Sequence, residues 1–238
     1  MIKYPIAGTA NAFINSEICQ KKAMKKLFFT LVTFILIQGV VNAQSFKFGT
    51  IAADAGVGGG LYGIRAYSPV NNMEHFAIGA IGTMPRINAE FGIAKFFGVG
   101  VSYRRGTYGK SGTNKLRGSD VMVRANFHVA NKNKKFDLPI GIGYGLSNFN
   151  GDLSSTEYLK AKGGILNVHV SPHFYFGNYI GMFLSLGYNK HLYNQVEAFD
   201  GSKLYTEADG ATWKMGGVYF EFGISGRFHL FNRGEEEN

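Results

Sequence analysis

A histidine and a serine two residues apart form the pair in this sequence that comes nearest to hydrolytic chemistry. His169 and Ser171 share one face of a predicted strand, because successive side chains alternate between the two faces. A base beside a hydroxyl is what nucleophilic catalysis requires. The next acidic residue along the chain is Glu197, in a predicted loop, and Pro172 follows the serine directly. We therefore predict no catalytic residue and keep hydrolysis as an alternative hypothesis.

Several histidines raise the question of a metal or cofactor. Four share the predicted polar strand faces: His128, His169, His173 and His229. Only His169 and His173 are close in sequence, and the single cysteine lies at position 19, in a segment predicted to be removed, so the spacing of a zinc site is missing. Residues 58–63 match the glycine pattern of a dinucleotide site, but no helix pattern follows them. The sequence predicts no metal and no cofactor.

Charged residues recur on the same strand faces, and in a barrel interior they need partners. Buried charges are stable only when paired or hydrogen-bonded, so we expect arginines and carboxylates to meet across strands. The predicted polar network consists of Glu90, Arg104, Arg124, His128, His169, Glu221 and Arg227, with Asp54 and His173 as further candidates.

Eight segments of alternating apolar and other residues must position these side chains. The first, over residues 51–67, is less regular, and we expect a bulge at glycines 58–60. The apolar faces are clearest in two later segments. There we predict the lipid-facing residues Val121, Val123, Phe127, Phe220, Phe222, Ile224 and Phe228.

Composition indicates which face meets lipid. Charged residues make up only 17% of the 238 residues, and 33 are glycine. A mean hydropathy of −0.04 excludes a bundle of membrane helices. The second face carries mostly Gly, Ser, Asn and His with a few charges, which suits the narrow interior of a small barrel better than a water-exposed sheet. We predict an all-β, eight-stranded antiparallel up-and-down transmembrane β-barrel.

Connections and aromatic residues agree with that fold. Short turns are predicted at 95–98, 131–137 and 177–179, and long polar links at 68–85, 109–119, 150–163 and 193–211, the asymmetry of an outer-membrane barrel. Aromatic residues form two predicted belts. One, near the turns, includes Tyr175 and Phe228; the other, near the links, includes Tyr103, Tyr108 and Trp213.

The amino-terminal segment predicts export. Residues 24–43 combine a basic start, an apolar run too short to span a bilayer and small residues before position 44, as in a signal peptide. Residues 1–23 are predicted to be a mis-assigned start or a disposable extension, 44–231 the barrel and 232–238 an acidic tail. Removing residues 1–43 lowers the formal charge from +9 to +5, which weakens a nucleic-acid interpretation.

The signal peptide, the eight alternating segments and the closing segment 218–231 resemble the small outer-membrane β-barrel proteins of Gram-negative bacteria, the porin-like and OmpX/OmpA-barrel group. The resemblance implies a monomer in the outer membrane, surrounded by outer-membrane lipids and lipopolysaccharide. It also implies that Phe231, seven residues from the end, serves as the signal read by the barrel assembly machinery.

Three functions follow as hypotheses. The leading one is a non-enzymatic outer-membrane protein with a structural or surface-interaction role through its long loops. The first alternative is a lipid hydrolase, since the pair His169 and Ser171 is similar to the His-x-Ser pair of outer-membrane lipid A deacylases. The second is a soluble periplasmic lipocalin-like carrier, whose apolar face would turn inward. Outward-facing loop cations are expected to attract lipopolysaccharide phosphates nonspecifically: Lys110, Lys115, Arg117, Lys160, Lys162, Lys190 and Lys203.

Overall fold

The computed structural model describes residues 46–68, 73–109, 116–130, 135–152, 158–199 and 204–230. These residues form eleven strands and one 3-10 helix, Glu207–Asp209. Within this part of the chain no helix is long and apolar enough to cross a membrane. The strands are β1 (Thr50–Ser68), β2 (Met73–Thr83), β3 (Arg86–Ala94), β4 (Phe97–Gly109), β5 (Leu116–Ala130), β6 (Phe136–Asp152), β7 (Tyr158–Val170), β8 (His173–Tyr175), β9 (Ile180–Phe199), β10 (Leu204–Thr206) and β11 (Thr212–His229).

The strands close into a ring of eight antiparallel passes. β2 and β3 form one pass interrupted before Pro85, and β7 and β8 form another interrupted before Pro172. A proline has no N–H to give to the ladder, yet its carbonyl still accepts: Arg105 N donates to Pro85 O and Leu184 N to Pro172 O, both at 3.0 Å. β10 is a short addition to β9. β11 pairs with β1 from Thr50↔His229 to Tyr67↔Thr212 and closes the ring. The predicted fold is confirmed.

The strands extend further than the sequence predicts. The predicted link 68–85 is wrong, because it contains β2, which pairs with β1 and β4. The other three links also shrink, since β5 begins at Leu116, β6 ends at Asp152 and β9 reaches Phe199. Near these ends the outward residues are polar and the inward ones apolar, so a search for outward apolar residues misses the strand.

The predicted bulge at glycines 58–60 is also wrong. β1 stays in continuous register with β11 through these residues, and the irregularity lies instead between Tyr62 and Gly63, on the side of β2. Gly58 and Gly60 make room inside the ring. A Cβ on Gly58 would lie 2.5 Å from Cγ of Glu221 and 2.1 Å from the carbonyl oxygen of Phe220.

A belt of apolar side chains covers the outer surface of the ring. Val123 is 59% exposed and Phe222 is 53% exposed. The belt includes the predicted residues Val121, Phe220, Ile224 and Phe228, which are also exposed, whereas Phe127 is half-buried against the ring of Phe96. Exposed apolar surface of this extent is costly in water, so it indicates a surface that lipid covers.

The interior changes character along the ring. We call the end with the turns at 95–96 and 176–179 the turn end, and the opposite end the loop end. Toward the turn end the buried side chains are mostly polar. Toward the loop end they form one apolar cluster that includes Tyr62, Met84, Tyr108, Phe149, Leu159, Trp213 and Met215. The aromatic belts are therefore only partly as predicted: Tyr103, Tyr144 and Tyr188 face outward, but Tyr108, Trp213 and Tyr175 are buried inside.

An arginine placed within the apolar belt should destabilise the barrel. For Val123→Arg or Phe222→Arg we expect a loss of about 2–4 kcal/mol of unfolding free energy, because a guanidinium would lie at lipid depth. Urea titration of the full chain folded into phosphatidylcholine vesicles, followed by gel migration of unboiled samples, measures this loss. Asn194→Arg is the matched control, since Asn194 faces outward beyond the belt. Equal midpoints for the three variants would contradict the assignment of the faces.

A methyl group added inside the ring at Gly223 should also be costly. Its Cβ would lie 2.1 Å from the carbonyl oxygen of Ala55 and 2.8 Å from the Phe183 ring. We expect Gly223→Ala to lose about 1–3 kcal/mol through overpacking, measured by the same titration. Gly177→Ala is the control, because a Cβ there meets nothing within 4 Å. A loss that is the same at both glycines would show that the interior is loosely packed.

Candidate functional site

The centre of the interior holds one carboxylate between two arginines. Glu221 on β11 is fully buried, and its Oε2 lies 2.8 Å from Nη1 of Arg86 on β3. Its Oε1 lies 3.0 Å from Nε of Arg104 on β4. These three residues, the central ion cluster, come from strands on both sides of the ring closure. The cluster spans the interior because a ring of eight strands is only as wide as the side chains that fill it.

Aromatic rings hold the two arginines of the central ion cluster in place. The guanidinium carbon of Arg104 lies 4.3 Å from the centre of the Tyr219 ring, and that of Arg86 lies 5.0 Å from the centre of Phe183. A guanidinium over a ring face gains a cation–π attraction that increases when water is excluded. Each arginine is therefore stabilised on one side by the carboxylate and on another by a ring.

A second group of charges lies near the turn end. The ring nitrogens of His128 face two carboxylates, with Nε2 2.7 Å from Oε1 of Glu90 and Nδ1 2.8 Å from Oδ2 of Asp137. This geometry satisfies an imidazolium that donates both N–H groups. Asn126 donates to Glu90 at 2.6 Å. The Phe46 ring stacks on His128 with centroids 3.5 Å apart, so the chain just before β1 covers this group.

A third group contains Ser171, and it changes the assignment of partners made from sequence. The Ser171 hydroxyl lies 3.2 Å from Nε2 of His173 and also donates to the carbonyl oxygen of Leu184. Nδ1 of His173 lies 3.1 Å from the hydroxyl of Ser225, which donates to Asp54 at 2.7 Å. All of these polar side chains are buried.

His169 belongs to a separate group. Its Nε2 contacts the guanidinium of Arg124, and its Nδ1 lies 2.9 Å from Oδ1 of Asn167. Asn167 donates in turn to the hydroxyl of Tyr219 and to Asn189. His169 and Ser171 do lie on the inner side of the ring, as alternation predicts, but each is bonded to other residues. The base and the nucleophile of the alternative hypothesis are not a pair.

The seven residues of the predicted polar network are all buried in the interior, divided among these groups. Arg227 lies over the Tyr175 ring at 3.7 Å and donates from Nε to the carbonyl oxygen of Asn178. Phe231, the signal peptide and the acidic tail lie outside the described residues.

Sequence reasoning missed four titratable interior residues: Arg86, Asp120, Asp137 and the loop-end His191. Ile87 faces outward, so alternation would have placed its neighbour Arg86 inside. Pro85 instead indicated that a loop ended there. Asp120 directly follows the predicted link 109–119, before the first residue assigned to a strand face, and Asp137 ends the predicted turn 131–137. His191, whose Nδ1 is 3.8 Å from Asp120 and 3.0 Å from the Ser147 hydroxyl, lies just before the predicted link 193–211 and was assigned to no strand face.

The possible metal ligands of the described interior are not grouped. Among the described residues no group of three or more His, Cys, Asp or Glu side chains is arranged to hold a metal ion. The interior contains five buried carboxylates and four buried arginines in this part of the chain, and they are largely used in contacts with one another and with histidines. The arrangement can bind charge within the protein, and it keeps the imidazoles and hydroxyls away from solvent.

Comparison with solved structures gives the fold a precedent. The chain is similar to the outer membrane protein OprG from Pseudomonas aeruginosa at 12% identity and a TM-score of 0.58, over 79% of this chain and 100% of that one. It is also similar to a major outer membrane protein from Thermus thermophilus at 11% identity and a TM-score of 0.50, over 75% of this chain and 99% of that one. The chain is an outer-membrane β-barrel in fold. No protein-family model and no curated protein matches the sequence.

The fold orients the outer-membrane barrel. Barrels of this kind have short turns on the periplasmic side and longer connections outside. This precedent predicts that the turn end faces the periplasm, with the His128 group on that side. The apolar cluster with Trp213 lies toward the opposite, loop end.

Removing the carboxylate at the centre of the outer-membrane barrel should be strongly destabilising. In Glu221→Ala, Arg86 and Arg104 stay buried without their counter-charge, which costs about 3–5 kcal/mol. Urea titration in vesicles measures this loss. Glu197→Ala removes an exposed carboxylate from β9 and should change stability by no more than about 0.5 kcal/mol. A Glu221→Ala barrel as stable as the control would mean that the central ion cluster does not hold the ring.

Proposed function

We propose that the protein acts in the outer membrane as a non-enzymatic, monomeric barrel with a closed interior, and that its contacts with other molecules are made on its outer surface and extracellular end. The observation that carries this proposal is the central ion cluster of Arg86, Arg104 and Glu221. It occupies the middle of the interior with side chains that are almost completely buried. A solute would have to displace charges that stabilise the ring.

The layers on either side of the central ion cluster support a closed interior. On the periplasmic side, His128 is bridged between two carboxylates and covered by Phe46. On the outer side, Tyr108, Phe149 and Trp213 form ring contacts, with centroids 5.9 Å apart for the first two and 5.4 Å apart for the last two. Three successive layers, each held by different interactions, separate the two ends.

The contacts of Ser171 favour a structural role over catalysis. A nucleophilic serine needs a base on its hydroxyl and an open approach for the substrate carbonyl. The hydroxyl of Ser171 does contact an imidazole, that of His173, but the serine is 2% exposed and faces the interior, away from the outer surface where acyl chains would lie. The histidine of the predicted pair is engaged by Arg124 instead. We therefore favour the non-enzymatic function.

The distribution of apolar surface favours an integral barrel over a soluble carrier. A lipocalin-like carrier would bury an apolar ligand pocket and expose polar residues. Here Ile142, Leu186 and Phe222 are exposed on the outside, while Asn167, Ser185 and Glu221 are buried inside. Lipids, including lipopolysaccharide on the outer side, are the surroundings that suit this surface. Because β1 pairs with β11, neither the first nor the last strand of the ring is left open for self-association, which supports a monomer. Phe231 remains our candidate for recognition by the barrel assembly machinery.

Conductance through the reconstituted protein tests the closed interior. We expect the full chain in planar phosphatidylcholine bilayers to conduct no more ions than the protein-free bilayer, because a packed interior has no continuous water path. The comparison variant replaces Arg86, Arg104 and Glu221 together by alanine, and it should show measurable conductance.

The migration of boiled and unboiled samples on gels is the folding control for both proteins. A shift between the two samples supports a closed membrane barrel, and its absence would contradict the proposed barrel itself. A steady open channel in the wild-type protein would overturn the closed interior while leaving the barrel intact.

A further inference from the structure

A cleft opens on the outer surface where the apolar belt gives way to polar side chains. It has a volume of about 370 Å³ and lies across β4, β5 and β6. Its lining includes Tyr103, Arg105, Arg117, Ser119, Asn148 and Asn150. Each of these side chains faces outward, on the opposite side of its strand from the interior groups described above.

Strand register fixes the arrangement of the two arginines. Arg105 is paired with Ser119, which is paired with Asn148. In the next row outward Thr107 is paired with Arg117, and Arg117 with Asn150. The arginines are therefore diagonal neighbours on adjacent strands, within reach of one another's long side chains. Amide and hydroxyl groups flank both of them.

The described lining of the cleft contains two arginines and no carboxylate. Among the described residues neither Arg105 nor Arg117 forms a salt bridge. Lys160 and Lys162 follow on β7, paired with Asn150 and Asn148. Two acidic residues are near in register: Asp152, two residues after Asn150 on β6, and Glu197, opposite Lys160. Like charges on neighbouring strands repel one another. An anion in the cleft would turn this repulsion into attraction.

The row below the cleft is apolar and faces lipid. Tyr103 pairs with Val121, and Val121 with Leu146. Val121 is 55% exposed and Leu146 is 70% exposed. A ligand that fits the whole surface therefore has an anionic head for the arginines and apolar chains for the row beneath. A free anion would use only the upper half of it.

We propose that this cleft binds the phosphorylated headgroup of a lipid in the outer leaflet, with the acyl chains lying along Val121 and Leu146. The proposal rests on the proposed function, because it requires the belt to be embedded in lipid. Arginine suits this ligand, since its planar guanidinium donates two parallel N–H groups to phosphate oxygens. The loop cations alone predict only a nonspecific attraction for phosphate, whereas the cleft would bind phosphate at a defined site.

The chain offers a matched control on the other side of the ring. Lys190 pairs with Gly216 and Lys214 with Leu192, so these two lysines are also exposed diagonal neighbours on adjacent strands, β9 and β11. Removing them changes the net charge by the same amount without touching the cleft. The test compares wild type, Arg105→Gln/Arg117→Gln and Lys190→Gln/Lys214→Gln, all as the full chain.

Each protein is reconstituted in phosphatidylcholine nanodiscs and titrated with bis-phosphorylated lipid A, and native mass spectrometry counts the lipid A that stays bound. We expect the arginine variant to bind about tenfold more weakly or worse, since charge-assisted hydrogen bonds to phosphate are lost. The lysine variant should change by less than about twofold, because exposed charges at that distance are screened. Lipid A without phosphate groups should bind wild type as weakly as bis-phosphorylated lipid A binds the arginine variant.

Three outcomes would overturn the site. Equal binding by all three proteins would remove the role of the arginines, and equal losses in both variants would leave only nonspecific attraction. Displacement of lipid A by inorganic phosphate at a concentration similar to that of the lipid would mean that the site takes free phosphate. The gel shift on boiling separates this test from the proposed function: shifted bands with no retained lipid A reject the site alone, whereas unshifted bands reject the barrel.

Discussion

Closure of the sheet is the constraint on which the rest of this structure depends. Inside hydrocarbon each unpaired backbone N–H or C=O costs several kcal/mol, so a sheet can cross a membrane only without free edges. β1 and β11, the first and last strands of the ring, meet that demand by pairing along their whole length. Of the three prolines in the described ring, Pro85 and Pro172 fall at breaks between strands and Pro139 lies within β6, and the carbonyls of all three accept a backbone hydrogen bond. Once the ring is closed, the side of each strand that a residue faces decides its surroundings.

A ring of eight strands leaves little interior, and that limit explains its chemistry. Charges cannot face the lipid belt, so those within the membrane point inward and must find partners at short range. Glu221 bridges Arg86 and Arg104, and His128 bridges Glu90 and Asp137. Glycines such as Gly58, which is paired with Glu221 on the neighbouring strand, provide the space. The contacts that neutralise the charges also fill the interior. The barrel is therefore closed by the same side chains that stabilise it, with no separate plug needed.

The polarity of the two faces inverts beyond the belt, and this inversion separates what the sequence could predict from what it could not. Alternation assigned Val123 and Phe222 to the outside because a single rule, apolar toward lipid, holds there. Further out water replaces lipid, so Asn148 faces outward and Phe149 inward. A rule that seeks outward apolar residues then predicts loops in place of strand. Interior partners were beyond prediction for another reason: His169 meets Arg124 from two strands away, and no periodicity shows which side chains meet across a ring.

The inversion also explains why the outer surface can carry a ligand site that the interior cannot. Inside, the charged groups contact an opposite charge, an imidazole, an aromatic ring or a carbonyl oxygen, because water is not there to stabilise them. At the outer edge of the belt Arg105 and Arg117 are exposed, so water and salt stabilise them well enough to remain without a carboxylate. Charges left uncompensated at a boundary keep their attraction for an anion from outside. In a barrel whose interior is filled, a ligand can bind at that boundary without displacing the interior contacts that stabilise the fold.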